Sequence, residues 1–560
     1  MTELQPTVIA ARKTRAAAAR IAVIAVALIA AFGAVAVQLV RLGLEGQSRV
    51  RIAVTAPISE SYSRPPIVDR DGRILAMDIL LPSVFADPAR ILDVDEVREK
   101  LASVLPPRDA ARLPSLPANR ERRFVWISRK VSTALAERIH NFGLPGIGFR
   151  WETKRAYPAG AIAGHVIGAV NVQNKGIAGI ERHVDLVAGL RMARADAING
   201  RRAVRSSLSL AAQHGLEDVL AGAMKRYRTE AATGLVMDVA TGEIAAAASL
   251  PKVDPAFPER WVASGPINRL TAGAYELGSI FKLFTVAAAL EDGIARPADA
   301  IAARPALRIG RHEITDITRL PTRISVGDII VRSSNVAAAR LALKFGDGQH
   351  RAALSRFGLL GEMRTEAGPT QSPRVPERWD NLARATIAYG HGIAVAPVQF
   401  AAAAAALVNG GYRVKPTFIS GAGIPEPVRT QVMSTKTSAA LARMMRANVT
   451  SPLGTGRLAN VPGYRVGGKT GTADQPNGAA GYDGKKVITS FIGAFPMPRP
   501  KFLVFVVLHD PKLVDGKRLA GINAAPTAGA LIARVAPILG VLPERETSKA
   551  VATGERALVE

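Results

Sequence analysis

Three short polar motifs constrain the fold of this chain more than any other feature of its sequence. In chain order they are Ser-x-x-Lys at residues 279–282, Ser-Ser-Asn at 333–335 and Lys-Thr-Gly-Thr at 469–472. Taken singly, the first is better explained by a capped helix start and the second by a polar turn. Their joint presence and order predict instead that the fold brings three distant segments into one site.

Ser279 is the candidate nucleophile, and Lys282 is the candidate base that activates it. On a helix that begins near Ser279, the residue three positions later lies beside it on the same face. The amine must be neutral to accept the serine proton, although an ordinary lysine has a pKa near ~10.4. Burial against Phe281 and Phe284, with a second cation such as Lys469, would lower that pKa. The pair therefore predicts acyl transfer through a serine without a histidine.

The Ser-Ser-Asn motif supplies two further catalytic candidates. Ser333 can pass a proton between the lysines and a leaving amine. Asn335 can fix either Lys282 or an amide of the substrate. The Ser333 hydroxyl and the Asn335 amide are thus expected to assist Lys282 as the base, not to act as the base themselves.

The Lys-Thr-Gly-Thr motif reads as a strand that binds the substrate. Lys469, together with the hydroxyls of Thr470 and Thr472, suits a substrate carboxylate. Gly471 would let a substrate backbone lie against the strand with no Cβ in the way. A backbone N–H of this strand, with that of Ser279, is expected to hold an oxyanion.

Two other motifs compete with this interpretation. Residues 249–252 also fit Ser-x-x-Lys, but Pro251 would break the helix that must hold both side chains on one face. Residues 463–470 fit the Gly-x4-Gly-Lys-Thr phosphate loop. That loop follows a buried strand and opens a helix, whereas here Pro462 precedes it and Pro476 follows closely. We therefore expect neither motif to form a site.

Cysteine is absent, which excludes thiol nucleophiles, disulfides and zinc–thiolate sites. Its absence also suits a compartment in which free thiols would be oxidised. The eight histidines show no spacing typical of a metal pair and none lies in a Gly-x-Ser-x-Gly elbow. We expect no metal and no cofactor.

The formal charge of +27 favours a diffusely basic surface over a nucleic-acid-binding one. Aromatic residues make up only 5% of the chain, and no basic helix or stacking motif is apparent. Anionic lipid head groups, or an anionic polymer outside the membrane, are the expected partners of this charge.

The run from Ile21 to Val40 contains no charged residue and predicts a membrane anchor. A helix of this length reaches about 30 Å, the thickness of one bilayer core. A cleaved signal peptide is the alternative, because residues 34–36 resemble an Ala-x-Ala cleavage site. Basic residues flank the run on both sides, so charge does not decide its orientation. With no second run of this kind, everything from Arg41 onward should lie on one side of the membrane.

The rest of the chain predicts an α+β protein of two domains. Strand-like runs at 235–239, 243–249, 487–495 and 502–508 enclose helical segments such as 281–290, a pattern that favours an antiparallel sheet flanked by helices. The predicted organisation is a tail at 1–20, an anchor at 21–41, an elongated mixed α/β pedestal at 42–215, a catalytic domain at 216–545 and a flexible tail at 546–560.

These motifs together resemble a class B penicillin-binding protein, a family that shares the trio with β-lactamases. The resemblance also rests on residues 64–75, 155–160, 176–181, 389–393 and 487–496, which are similar to family segments in the pedestal and around the site. Asparagine in the second motif favours the division-specific (FtsI-type) branch over the elongation-specific one.

The resemblance implies a β-lactamase-like transpeptidase domain that cross-links peptidoglycan stem peptides. Ser279 would attack the penultimate D-Ala carbonyl, and the acyl-enzyme would pass to an amine of a neighbouring stem. It also implies inactivation by β-lactam antibiotics, a single-pass anchor in the bacterial inner membrane and a catalytic domain in the periplasm. The implied partners are a SEDS glycosyltransferase of the FtsW type and other divisome proteins.

Three alternatives stay open at this point. An elongation-type class B transpeptidase would share the motifs, and a non-catalytic divisome scaffold could keep the fold. A β-lactamase also shares the trio, although it would not need a long pedestal or an anchor.

Overall fold

The structure is a computed structural model that describes residues 22–38, 64–113, 122–188, 203–263, 267–420, 429–476, 482–512 and 516–544. It divides into two units, Met1–Ser63 and Arg64–Glu560. In the first unit, residues 22–38 are helical. No helix among the described residues combines the length and the apolar character needed to cross a membrane. The predicted tails at 1–20 and 546–560 lie outside the described residues.

The pedestal is built around a five-stranded sheet. Its elements are β1 (Ile67–Val68), β2 (Ile74–Ala86), α1 (Val94–Ala102), α2 (Pro107–Ala110), β3 (Val125–Ser128), α3 (Thr133–Asn141), β4 (Ile147–Ala156), α4 (Gly164–Ile167), α5 (Gly179–His183) and β5 (Val204–Arg205). The strand order is β3-β2-β1-β5, and β4 also pairs with β2. Only β1 and β5 run parallel among these pairs.

A buried ion network ties together the three pedestal segments that carry the family resemblance. Glu181 is fully buried and accepts hydrogen bonds from Arg64 Nε at 2.9 Å and Arg155 Nε at 2.7 Å. Arg155 also pairs with Asp78 at 3.1 Å, and Arg64 with Asp185 at 2.5 Å. Buried charges are tolerated only when they are paired in this way, so the network fixes how the three segments meet.

The remaining chain forms a second sheet with surrounding helices. Its elements are α6 (Leu210–Tyr227), β6 (Ala231–Asp238), β7 (Ile244–Leu250), α7 (Pro258–Ala263), α8 (Lys282–Glu291), β8 (Ala300–Ala302), β9 (Leu307–Ile309), β10 (His312–Ile314), β11 (Arg323–Ser325), α9 (Val326–Arg332), α10 (Asn335–Ala342), α11 (Gln349–Arg356), β12 (Arg364–Thr365), β13 (Gly368–Pro369), α12 (Asn381–Ile387), α13 (Pro397–Ala406), β14 (Tyr412–Arg413), β15 (Thr430–Gln431), α14 (Thr435–Thr450), β16 (Gly467–Pro476), β17 (Tyr482–Phe495), β18 (Phe502–His509) and α15 (Ala524–Val535). The five long strands are ordered β16-β17-β18-β6-β7, and every neighbouring pair is antiparallel. The expected antiparallel sheet is confirmed.

Helices cover both faces of this sheet, which explains why its central strands are apolar throughout. Alternate residues of β18 point to opposite faces. Leu503 and Phe505 pack in the core with Phe400 of α13, while Val504 packs in a separate core with Leu216 of α6. The first core also contains pedestal side chains from β1, β2 and α5. The predicted boundary at 215/216 falls within the helix α6 and stays a prediction.

Candidate active site

Ser279 lies in a single 3-10 turn, Gly278–Phe281, which leads directly into α8. Gly278 adopts a φ of +60°, and a Cβ there would lie 2.4 Å from the carbonyl oxygen of Thr472. A side chain at position 278 would therefore be both strained and in collision. The glycine lets the serine turn press against β16, which carries the third motif.

Lys282 is fully buried directly behind Ser279. Its Nζ lies 2.8 Å from Ser279 Oγ, 2.7 Å from the carbonyl oxygen of Ser333 and 2.7 Å from Asn335 Oδ1. A neutral amine has two N–H groups, which suffice for the Ser333 carbonyl and the Asn335 amide oxygen. Its lone pair is then available to the Ser279 hydroxyl proton.

Both lysines of the site have depressed basicity. Burial lowers the pKa of Lys282 to about 7, and the carboxylate of Asp316 opposes this shift. Burial also lowers the pKa of Lys469 well below its ordinary value, and the charge of Lys282 lowers it further. Each positive charge disfavours the other, because the repulsion between them is mutual. The two buried amines therefore carry fewer than two positive charges between them near neutral pH.

Ser333 lies between these lysines, at the junction of α9 and α10. It adopts left-handed backbone angles, with φ at 61° and ψ at 40°. Its Oγ lies 3.1 Å from Lys282 Nζ and 2.9 Å from Lys469 Nζ. Asn335 begins α10 and holds Lys282 through Oδ1, while its Nδ2 donates to the carbonyl oxygen of Thr315 at 3.2 Å. Two roles were considered for Asn335, to fix Lys282 or to bind an amide of the substrate. In this geometry Asn335 fixes Lys282.

The third motif lies on β16, at one edge of the sheet. Lys469 is fully buried, and its Nζ donates to the carbonyl oxygen of Thr470 at 3.0 Å. The Thr470 hydroxyl lies 2.7 Å from that of Thr455. The Thr472 hydroxyl oxygen accepts from the Ala520 N–H at 3.1 Å, which leaves its own hydrogen free to donate to a ligand.

The expectation that Gly471 leaves room for a substrate backbone is wrong. A Cβ at this position would not face a substrate, because it would lie 2.3 Å from the carbonyl oxygen of Leu277 and 2.5 Å from Ser490 Oγ. Position 471 is therefore turned towards the Ser279 turn and the neighbouring strand. The absence of a side chain lets the first and third motifs approach each other.

Asp316 contacts the second motif and influences Lys282, although the motifs did not indicate it. Its carboxylate accepts hydrogen bonds from Ser334 Oγ at 2.7 Å, the Val336 N–H at 3.2 Å and the Asn335 N–H. It thereby caps α10 together with Ser334, whose Oγ accepts from the Ala337 N–H. Its separation from the motif matches no helical or strand period, so no sequence signal could have revealed it.

The competing motifs form no site. Ser249 lies in β7, and its Oγ accepts from the Arg269 N–H at 3.1 Å. Lys252 is paired with Glu217 at 2.6 Å instead of with Ser249. The phosphate-loop alternative is wrong because Lys469 lies within β16 and opens no helix.

Two domain families match the sequence. The family described as penicillin binding protein transpeptidase domain matches residues 232–533. The penicillin-binding protein dimerisation domain matches residues 60–184. The chain belongs to the class B penicillin-binding proteins. The transpeptidase match spans all three motifs, whereas the dimerisation match spans every residue of the pedestal ion network except Asp185.

Curated relatives of this penicillin-binding protein include proteins of the FtsI type. It is 34% identical over 496 residues to the probable peptidoglycan D,D-transpeptidase FtsI of Caulobacter vibrioides, covering 86% of this chain and 82% of the relative. It is 31% identical over 518 residues to peptidoglycan D,D-transpeptidase FtsI of Escherichia coli, covering 87% and 86%. A solved structure, the apo transpeptidase domain of Burkholderia pseudomallei penicillin-binding protein 3, has a TM-score of 0.55 and 29% identity, covering 61% of this chain and 98% of that one.

Proposed function

We propose that this penicillin-binding protein is a serine D,D-transpeptidase that cross-links peptidoglycan stem peptides during septal cell-wall synthesis. The observation that carries the proposal is the 2.8 Å separation between Ser279 Oγ and the buried Nζ of Lys282. Relatives named as peptidoglycan D,D-transpeptidases support it. β-Lactams inactivate such an enzyme because they acylate the same serine.

Acylation begins when the neutral amine of Lys282 accepts the proton of the Ser279 hydroxyl. The serine oxygen bonds to the carbonyl carbon of the penultimate D-Ala, and the bond from this carbon to the nitrogen of the terminal D-Ala breaks. The leaving nitrogen takes up the proton through the Ser333 hydroxyl, which lies within hydrogen-bond distance of both lysines. The product is an ester of the stem peptide with Ser279.

Transfer repeats these steps in reverse with a different amine. The amine of a neighbouring stem gives a proton to Lys282 and bonds to the ester carbonyl carbon. The bond from this carbon to the Ser279 oxygen breaks, and Lys282 returns the proton to that oxygen. One serine and one base thus serve both half-reactions.

Substrate binding is assigned to the outer edge of β16. The terminal carboxylate of the donor stem would bind near Lys469 and the hydroxyls of Thr470 and Thr472. The Ser279 N–H and a backbone N–H of the motif strand would stabilise the oxyanion. The contact between Gly278 and the Thr472 carbonyl supports this role, because it holds the serine turn against the strand.

The placement of the enzyme in the cell forms a further part of the proposal. Residues 21–41 would anchor it in the bacterial inner membrane, with the pedestal at 42–215 and the transpeptidase domain at 216–545 in the periplasm. The charge-free run of residues 21–40 supports the anchor. A SEDS glycosyltransferase of the FtsW type and other divisome proteins would be its partners.

A fluorescent penicillin tests the proposal. It is expected to label the purified chain at Ser279, as located by tryptic mass mapping. Lys282→Ala should abolish labelling, whereas the exposed control Lys344→Ala should not. Stable labelling without turnover separates the enzyme from a β-lactamase. A label on Ser249 or Ser334, or a Ser279→Ala variant that still supports septation, would contradict the proposal.

A further inference from the structure

Asn448 lies on α14, outside all three motifs, and its side chain is fully buried. Its Nδ2 donates to the carbonyl oxygens of Ile330 and Val331 at 3.0 Å and 2.9 Å. It also donates to the hydroxyl oxygen of Thr455 at 3.0 Å. Carbonyl oxygens only accept hydrogen bonds, so the nitrogen of the amide must face them. No step of the proposed reaction uses this residue.

The two carbonyl contacts fix the end of α9. This helix ends at Arg332, and the carbonyl groups of the last turn of a helix have no partner within the helix. Asn448 supplies donors to two of them. Ser333 follows directly after this turn, and its hydroxyl lies within hydrogen-bond distance of both lysines. Asn448 therefore holds the segment that positions Ser333.

The contact with Thr455 reaches the third motif. Because Asn448 donates to the Thr455 hydroxyl, the hydrogen of that hydroxyl remains for the Thr470 hydroxyl, which lies 2.7 Å away. Lys469 Nζ lies 3.5 Å from Thr455 Oγ1 and 3.3 Å from Thr470 Oγ1. The same amine lies 2.9 Å from Ser333 Oγ. The chain of hydrogen bonds that begins at Asn448 thus ends beside the Lys469 amine.

The loop that carries Thr455 also packs closely against the backbone of Asn448. The Gly456 N–H donates to the carbonyl oxygen of Asn448 at 3.2 Å. A Cβ on Gly454 would lie 2.0 Å from the same oxygen, so only glycine permits this approach. Both the backbone and the side chain of Asn448 therefore determine where Thr455 lies.

We propose that Asn448 is a positioning residue, which sets the approach of the Lys469 amine to the Ser333 hydroxyl. Its amide binds the end of α9, which carries Ser333, and also binds Thr455, which contacts Lys469. A shift on either side changes the distance between hydroxyl and amine, and proton transfer is sensitive to such a distance. The inference rests on the proposed transpeptidase function, in which the proton reaches the leaving nitrogen through Ser333.

The test measures the rate constant for acylation of the full chain by penicillin. Asn448→Leu removes the two N–H donors and keeps a side chain of similar volume. The matched control is Gln399→Met, because Gln399 is also a buried amide whose nitrogen donates to two carbonyl oxygens, those of Gly358 and Gly361. The amide oxygens of Asn448 and Gln399 are alike too, since neither makes a hydrogen bond to any described residue. Both carbonyls bound by Gln399 lie outside the three motifs.

We expect Asn448→Leu to slow acylation about tenfold or more, whereas Gln399→Met should acylate at the wild-type rate. In a Ser333→Gly background, Asn448→Leu should add no more than about a twofold effect, because both changes act on one proton path. A merely structural role of Asn448 would lower the unfolding temperature and leave the acylation rate constant of the folded chain unchanged. That result would overturn the inference.

Thr455→Val provides a second measurement if Asn448→Leu does not fold. It removes the hydroxyl beside Lys469 and leaves Asn448 with two carbonyl oxygens for its two N–H groups. It should also slow acylation of the wild type and add little in the Ser333→Gly background. Equal slowing in both backgrounds, with the wild type labelled at Ser279, would overturn the inference alone. A wild type that penicillin does not label would overturn the proposed function, and the inference with it.

Discussion

Lys282 and Lys469 direct their Nζ atoms at the same hydroxyl, 3.1 Å and 2.9 Å from Ser333 Oγ. Both amines are fully buried, so two full positive charges at this separation would be strongly unfavourable. At least one of the two amines is therefore neutral for part of the time, and the two lysines share the ionising proton. Ser333 is the group through which that proton can move.

The first prediction concerns pH. Since the pKa of Lys282 is lowered to about 7, the rate constant for acylation by penicillin should rise with pH through that value and level off above it. Only the neutral amine can accept the serine proton, and protonation below this pKa removes it. Stopped-flow labelling over the neutral range measures the profile. A rate constant that falls as pH increases from about 6 to 8 would contradict this role.

The second prediction concerns Ser333. Its left-handed φ disfavours alanine, so Ser333→Gly removes the hydroxyl without backbone strain. We expect acylation to slow by about a hundredfold or more, because the proton path to the leaving group is lost. The exposed serine of α11 provides a control, since Ser355→Ala should acylate at the wild-type rate. Equal rates for both variants would exclude proton transfer through Ser333.

The third prediction separates a positioning role of Asp316 from a merely structural one. Asp316→Asn removes a charge that raises the pKa of Lys282. The acid limb of the pH–rate profile should therefore move to lower pH. A loss of about 1–2 kcal/mol in the free energy of unfolding is also expected, because the cap of α10 is weakened. The exposed control Asp347→Asn should change neither quantity, and an unmoved acid limb would limit Asp316 to capping.

The fourth prediction concerns the contact between the first and third motifs. Gly471→Ala places a Cβ 2.3 Å from the Leu277 carbonyl oxygen, so the serine turn must move away from β16. A displacement of this kind costs about a hundredfold in rate, which penicillin acylation would detect. Gly222→Ala is a matched control, because position 222 lies in α6 with nothing within 4 Å of the new Cβ. Acylation by Gly471→Ala at the wild-type rate would contradict this account.

The fifth prediction concerns the pedestal. Glu181→Ala leaves Arg64 and Arg155 without their shared buried carboxylate. Removing one partner of a buried pair costs about 3–5 kcal/mol, so thermal unfolding should occur at a clearly lower temperature. The control is Glu230→Ala, which breaks an exposed pair with Lys486 and should have little effect. Equal unfolding temperatures would show that the network is dispensable.

Sequence alone predicted the features that depend on local pattern. The antiparallel strands at both ends of the catalytic domain follow from apolar runs bounded by turns. The three motifs were predicted to form one acyl-transfer site, and the structure brings Ser279, Lys282 and Lys469 together.

Features created by long-range contacts could not be predicted. Asp316 acts through hydrogen bonds to Ser334 and Val336, which lie outside its own turn or strand. Gly471 was expected to face the substrate. The expectation failed because nothing in the local sequence shows which side of a strand meets another element. The left-handed conformation of Ser333 was equally hidden, since serine has no preference for a positive φ.

The backbone conformation of Ser333 has a pharmacological consequence. The hydroxyl is aimed by the torsion angles of the link between α9 and α10, and not by side-chain packing alone. A small molecule that wedged these helices apart would rotate the hydroxyl away from both amines and stop turnover. Such a compound would need no reactive ring, so bacterial enzymes that open such rings would give no protection against it.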